Sequence, residues 1–289
     1  MKQVVRTSYA ELVDMGGFPV RQPLPTAKIG QVDPFLLLHH HRGKIKPGTD
    51  YKSAGVGPHP HRGFSPVTFV FEGEVHHRDS RGNSGIVSEG GVQWMSAGLG
   101  IIHSERPSKA FAALGGYQEI IQLWVNTPQA HKMDQPYYKA INKEDQPLIK
   151  PDTGKGLIRL ACGNLNDQTG PIESPFSLTA VTCEGISKMQ HTFNIPEGEH
   201  SMIYVLKGTV NVTGYGLLDH HNLAMFSPQG SSITIAVDDK AVCLLLSGKP
   251  LEEPMVNHGP FVMNSTIEIM EAMRDYQMGK MGTLIEEFD

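Results

Sequence analysis

Two short motifs carry side chains of metal-binding type: His59-Pro60-His61 and, about forty residues later, His103-Ser104-Glu105. Each sets its ligand-type residues two apart, and along a β-strand residues i and i+2 project from the same face. Two such strands side by side aim three imidazoles and one carboxylate at a single point. That donor set suits Fe, Ni, Co, Cu or Zn, whereas Ca and Mg prefer all-oxygen shells. No cysteine lies nearby to close a thiolate zinc site. An octahedral ion held by four protein ligands keeps two open positions, enough for a bidentate substrate or for substrate plus dioxygen. The bland alternative is a polar barrel end whose histidines are satisfied by backbone carbonyls; a lone His-x-His fits that well, and the second pair favours a metal.

The stretch between the pairs must fold so that they meet. Val67-Thr68-Phe69-Val70-Phe71 is strand-like, and Glu72-Gly73-Glu74, Asp79 to Asn83 and Glu89-Gly90-Gly91 are turn signals, which predicts a small antiparallel barrel with the ligands on its inner wall. Gly98 and Gly100 let the backbone bend before the second pair. Ile120 to Val125 is predicted as a buried strand. Phe35 to Leu38 is another, leading into His39-His40-His41, which is expected to be a solvated strand end because alternate residues cannot all face one ion. His76 and His77 are also adjacent, so at most one can look inward, and solvent exposure is expected for both.

Sparse helical patterning, with 31 Gly and 20 Pro spread through 289 residues, points to a mainly β chain of two domains. The polar stretch from Pro136 to Pro175 places the junction between an N-terminal metal-binding domain, 1–140, and a C-terminal domain, 150–289. The second set of strands is expected at Phe176 to Cys183, Ser201 to Leu206, Asn222 to Phe226, Ser232 to Ala236 and Ala241 to Ser247. Ser265 to Gly279 has the capping box and C-terminal glycine of a short helix.

A net charge of −5 without any Lys/Arg run argues against direct nucleic-acid binding. Charged residues interrupt Met1 to Pro25, so no secretory-type apolar segment is expected there, and no stretch reaches the roughly 20 apolar residues of a membrane span. Cys162, Cys183 and Cys243 are widely spaced in apolar surroundings, which predicts buried free thiols and a cytoplasmic protein.

Val70-Phe71-Glu72-Gly73-Glu74-Val75 is echoed by Val205-Leu206-Lys207-Gly208-Thr209-Val210, and Met95-Ser96-Ala97-Gly98 by Ser227-Pro228-Gln229-Gly230, at offsets of 135 and 132 residues. These offsets put Asn194 and Pro196 opposite the first ligand pair and Ile235 and Val237 opposite the second. The second copy is therefore expected to hold no metal.

The runs His59-Pro60-His61-Arg62-Gly63-Phe64, Glu72 to Ser80, Gln93 to Gly98 and Gly100 to Glu105, with His258-Gly259-Pro260-Phe261 near the end, resemble the pirin family of the cupin superfamily. The resemblance spans nearly the whole chain. It implies a bicupin, two facing antiparallel β-barrels of jelly-roll type with one iron in the N-terminal barrel, held by His59, His61, His103 and Glu105. This chain has Ser65-Pro66 where pirins usually carry Glu-Thr, which leaves Glu105 as the evident carboxylate of the motif. Some pirins resemble quercetin 2,3-dioxygenases, which open a flavonol with O2 and release carbon monoxide. The expected activity is of that type, on a small aromatic, flavonol-like substrate, with Glu105 as both ligand and catalytic base. The alternative is an iron-dependent redox sensor that binds a protein partner without turnover, as other pirins do. Iron is the first expectation for the divalent metal, with Ni, Co, Cu or Zn as alternatives.

Overall fold

Period-two alternation builds the sheets. In Ser232–Val237 the side chains of Ile233, Ile235 and Val237 are buried and the intervening Ser232, Thr234 and Ala236 are only half-buried. Glu74–Asp79 alternates the same way, and its buried face carries Val75, His77 and Asp79. The computed structural model describes residues 1–286 and residue 288, and its regular structure is dominated by antiparallel strands, with two α-helices among the described residues. No helix among them is long and apolar enough to cross a membrane.

The chain divides into two units, residues 41–143 with 252–289 and residues 1–40 with 144–251. They are not the successive stretches 1–140 and 150–289. One crossing does fall between 143 and 144, but the chain also crosses within the strand Phe35–Ile45 and after Leu251. Hydrophobic patterning locates strands without saying which unit recruits them, so these exchanges were not legible.

The unit bearing both ligand pairs holds a four-stranded sheet in the order Val56–His61, Ile101–Arg106, Glu74–Asp79, Ser84–Ser88. Its other sheet runs Tyr137–Ile141, Val92–Ser96, Phe64–Glu72, Gly116–Asn126. These are open jelly-roll sheets of the bicupin fold rather than a closed ring of strands. Phe64–Glu72 is central and buried on both faces along most of its length. A six-residue helix, Lys109–Leu114, was too short to show a period in the sequence. The C-terminal helix, Thr266–Gln277, forms as predicted: the Ser265 hydroxyl accepts from the Glu268 amide and the Glu268 carboxylate accepts from the Asn264 amide. Ile269 and Ala272 are its buried residues, while Met273 and Tyr276 are partly exposed.

The other unit repeats the plan. A sheet runs Leu148–Ile149, Gly156–Cys162, Leu178–Gly185, Val242–Gly248, His200–Lys207, Asn222–Phe226, Val4–Tyr9, and a second runs Met189–Asn194, Ser232–Val237, Thr209–Val212, Gly216–Asp219. Gly73 and Gly208, the anchors of the internal repeat, both sit at turns where the chain passes from one sheet to the other, with positive φ, +76° and +70°. L side chains avoid that conformation, so glycine recurs there for a backbone reason. The three cysteines are free and buried as expected, and burial pushes the Cys162 thiol up to about 12.

His39 to His41 is not a solvated end. His40 and His41 are buried, and the His40 ring meets the Tyr204 hydroxyl at 2.9 Å. Tyr204 lies 164 residues away in sequence, which is why local pattern did not reveal it.

Candidate metal centre

Val56–His61 pairs antiparallel with Ile101–Arg106, and the register sets His59 directly across from His103. Neighbouring strands lie close enough for facing side chains to touch. The result is a cluster in which one ring nitrogen from each of His59, His61 and His103 lies within 4.8 Å of the others. His61 and His103 are buried and His59 is half-buried, so the cluster opens on the His59 side.

The backbone beyond the first pair is pinned. Gly63 turns the chain with φ +83°, and a Cβ there would stand 2.1 Å from the Val262 carbonyl oxygen. The buried Lys132 ammonium donates to the Gly63 carbonyl at 2.6 Å. Arg62 donates through both terminal nitrogens to Asp275 on the C-terminal helix, each at 3.1 Å, and through Nε to the Leu99 carbonyl. The C-terminal segment thus fixes the strand that carries His59 and His61.

Hydrogen bonds assign the ring nitrogens. His59 Nδ1–H donates to the Gly57 carbonyl at 2.8 Å and His61 Nδ1–H to the Pro260 carbonyl at 3.3 Å. Each therefore keeps Nε2 as a lone pair, the arrangement that outer-shell carbonyls impose on metal-bound histidine. His103 Nε2 is buried and finds no hydrogen-bond partner among the described residues. An orphaned buried nitrogen costs about 1–3 kcal/mol unless something binds it, and a metal ion is such a partner. Burial, and after it the neighbouring His59 ring, holds the His61 imidazole well below its ordinary range, against the opposing Pro260 carbonyl. Burial and then the rings of His59, His61 and His77 do the same to His103. Neutral imidazoles are the ligating form, so these residues fit a transition-metal ion.

Glu105 is not one of the clustered ligand residues. A register shift against Val56–His61 falls between His103 and Glu105. Its Oε1 accepts hydrogen bonds from the Thr68 hydroxyl at 2.9 Å and from the Gln93 side-chain amide. Thr68 also lies 2.7 Å from Gln122 Oε1 and accepts from Gln93 Nε2 at 3.0 Å. Its single proton serves one of the two oxygens at a time. Ser65 and Pro66 are both buried and bring no charge to the position where pirins usually carry glutamate.

The expectation of exposure fails for His77. It has 0% exposure, donates from Nε2 to Asp79 Oδ2 at 3.0 Å, and stacks on Tyr138 with centroids 3.9 Å apart and planes 6° from parallel. Its Nδ1 lies 3.4 Å from His103 Nδ1. Burial pushes the Asp79 carboxyl up, but hydrogen bonds from His77, Asn83 and the amides of Arg81 and Asn83 outweigh it and hold the group below its ordinary value. Alternation from the apolar Val75 was the available signal, since it turns His77 and Asp79 inward together.

In the other unit the register puts His191 opposite Ile235 and Met189 opposite Val237, with Phe193 opposite Ile233. Asn194 pairs with Ser232 at the end of this strand, so the positions facing Ile233, Ile235 and Val237 are Phe193, His191 and Met189. His191 Nδ1 lies 3.1 Å from Asp152 and the remaining positions are apolar and buried. Each such side chain contributes about 1.5–3 kcal/mol of burial in place of a ligand.

Comparison with known proteins agrees with this geometry. The Pirin family model matches residues 17–125, and that of the pirin C-terminal cupin domain matches residues 180–282. A Pseudomonas aeruginosa protein provisionally named quercetin 2,3-dioxygenase is 36% identical over 267 residues, covering 91% of this chain and 92% of that one. A pirin-like protein of Solanum lycopersicum is 33% identical over 273 residues, 92% of this chain and 88% of its own. The crystal structure of quercetin 2,3-dioxygenase from Acinetobacter baumannii superposes with a TM-score of 0.89 at 35% identity, covering 99% of this chain and 100% of that one. With two family matches and about one-third identity sustained over nearly its whole length, this chain belongs to the pirin family.

Proposed function

We propose that the protein is an iron-dependent dioxygenase of the quercetin 2,3-dioxygenase type, acting on a flavonol or a similar flat aromatic substrate. The observation that carries this reading is the three-histidine cluster with its orphaned His103 nitrogen. His59, His61 and His103 would hold the ion, with Glu105 as fourth ligand. When bound, such an ion would supply Lewis acidity and redox capacity toward dioxygen.

The chain's own residues do the rest. Glu105 takes the proton of the substrate hydroxyl, a step that general-base catalysis accelerates by about 100- to 10,000-fold. Thr68 and Gln93 hold its Oε1, which directs the proton to Oε2 and keeps the carboxylate from swinging away. The half-buried Trp124 ring packs edge-on against His61 at 5.4 Å, backed by the buried Phe64 ring at 4.4 Å, and would give the site an aromatic wall for a flat substrate. Relatives with the same activity in their names support the reaction class.

The test is protein loaded anaerobically with iron(II) and given quercetin and oxygen. Loss of the flavonol absorbance with oxygen uptake and carbon monoxide release is expected. An iron-loaded protein that consumes no oxygen with any flavonol would overturn the dioxygenase reading and favour a sensor.

A further inference from the structure

The histidine cluster is held from behind in two different ways. His59 and His61 each give Nδ1–H to a backbone carbonyl, which only accepts. His103 instead faces another imidazole, that of His77, nitrogen to nitrogen at 3.4 Å. Two imidazole nitrogens can share a hydrogen bond only if one carries a proton and the other a lone pair. Which is which sets the tautomer of His103, and with it whether Nε2 can bind a metal.

Asp79 settles the question. Its Oδ1 accepts from the amides of Arg81 at 2.8 Å and Asn83 at 3.1 Å, and its Oδ2 accepts from the Asn83 side chain at 2.8 Å. Surrounded by N–H donors, this carboxylate is an acceptor toward His77 as well, so His77 carries its proton on Nε2. In the neutral form of His77 the lone pair then lies on Nδ1, facing His103. His103 Nδ1 must therefore be the donor, which leaves His103 Nε2 as a lone pair, the same buried nitrogen that has no partner among the described residues.

The arrangement is rigid. The His77 ring lies flat on Tyr138, and the Tyr138 hydroxyl donates to Gln93 Oε1 at 3.3 Å. Gln93 in turn holds Glu105. One tyrosine thus braces both the His103 side and the Glu105 side of the centre. Register adds to this, since His103 pairs across the sheet with Asp79 and Glu105 with His77.

We propose that His77 and Asp79 are positioning residues that fix His103 in its Nδ1–H tautomer and aim its Nε2 at the metal. The inference rests on the three histidines being a metal centre, and it predicts more than that: a relay of side chains performs for His103 what main-chain carbonyls perform for the other two. Removing an outer partner of a metal-bound histidine lowers affinity about 10- to 100-fold.

The test compares wild type with His77→Phe, His77→Gln and Asp79→Asn, with His103→Ala as a control. Phe keeps the stack on Tyr138 but cannot accept from His103, whereas the Gln side-chain oxygen can. Three quantities are measured: cobalt(II) affinity by chelator competition, the visible spectrum of the bound cobalt, and the His103 tautomer in metal-free protein by long-range proton–nitrogen NMR. Wild type should show the His103 proton on Nδ1. His77→Phe and Asp79→Asn should lose about 10- to 100-fold in cobalt affinity with a shifted spectrum, and His77→Gln should recover part of the loss. Cobalt bound within twofold of wild type, with an unchanged spectrum, in both His77→Phe and Asp79→Asn would overturn the proposal while leaving the metal centre standing. A wild-type protein that binds no cobalt would instead overturn the metal centre. If His77→Phe does not fold, the wild-type tautomer decides, and a His103 proton on Nε2 overturns the proposal.

Discussion

Replacing Thr68 with Val tests the network around Glu105 with little change of shape. Thr68 has 0% exposure, and its hydroxyl lies within hydrogen-bond distance of Glu105, Gln122 and Gln93. One proton and the lone pairs make one donated and one accepted bond at a time, each worth about 1 kcal/mol net. Val fills nearly the same volume, so almost no cavity cost is added. Gln122 is half-buried and can take water in exchange, whereas the Glu105 oxygen loses a donor to a charged group, worth about 1.5–3 kcal/mol. The expected loss is about 1–3 kcal/mol. Both tryptophans, Trp94 and Trp124, lie in the ligand-bearing unit, so urea unfolding followed by their fluorescence reports on that unit. A change below about 0.5 kcal/mol, the range of an ordinary surface substitution, would refute the network.

Glu105→Gln keeps an oxygen for Thr68 and Gln93 but removes the charge and the basicity; metal-loaded variant should lose about 100- to 10,000-fold in quercetin turnover, and full turnover would remove Glu105 from the base role. Asp275 is held below the ordinary carboxyl value by its hydrogen bond from Lys280 and then by Arg62, against desolvation. A depressed carboxyl stabilises the fold fully at neutral pH and loses that contribution as the pH falls through the folded value. Asp275→Asn should therefore cost about 1.5–3 kcal/mol at pH 7, with the gap to wild type closing below about pH 4; a gap that persists in acid would contradict the ion pair.

Strand alternation made much of this site legible. It put His59 with His61 and aimed His103 from a second strand, because a two-residue spacing fixes the face before any tertiary contact is known. It also carried Val75, His77 and Asp79 inward together, yet two adjacent histidines beside an arginine suggest solvent until the acceptor that buries one of them is seen. Glu105 shares a face with His103 in an ideal strand, but the register shift between them was not written in the local pattern. His40 depended on Tyr204, far away in sequence. The repeat was visible because Gly73 and Gly208 serve the same turn, each with a positive φ that favours glycine.

Elemental analysis of anaerobically purified protein beside His61→Ala decides whether one metal ion sits on His59, His61 and His103. Wild type should carry about one transition-metal ion per chain. His61→Ala should carry none, with cooperative unfolding retained because the sheets rest on their apolar faces. Metal retained at wild-type stoichiometry in His61→Ala, or a wild type that holds none and takes up none when iron(II) is supplied, would contradict such a site.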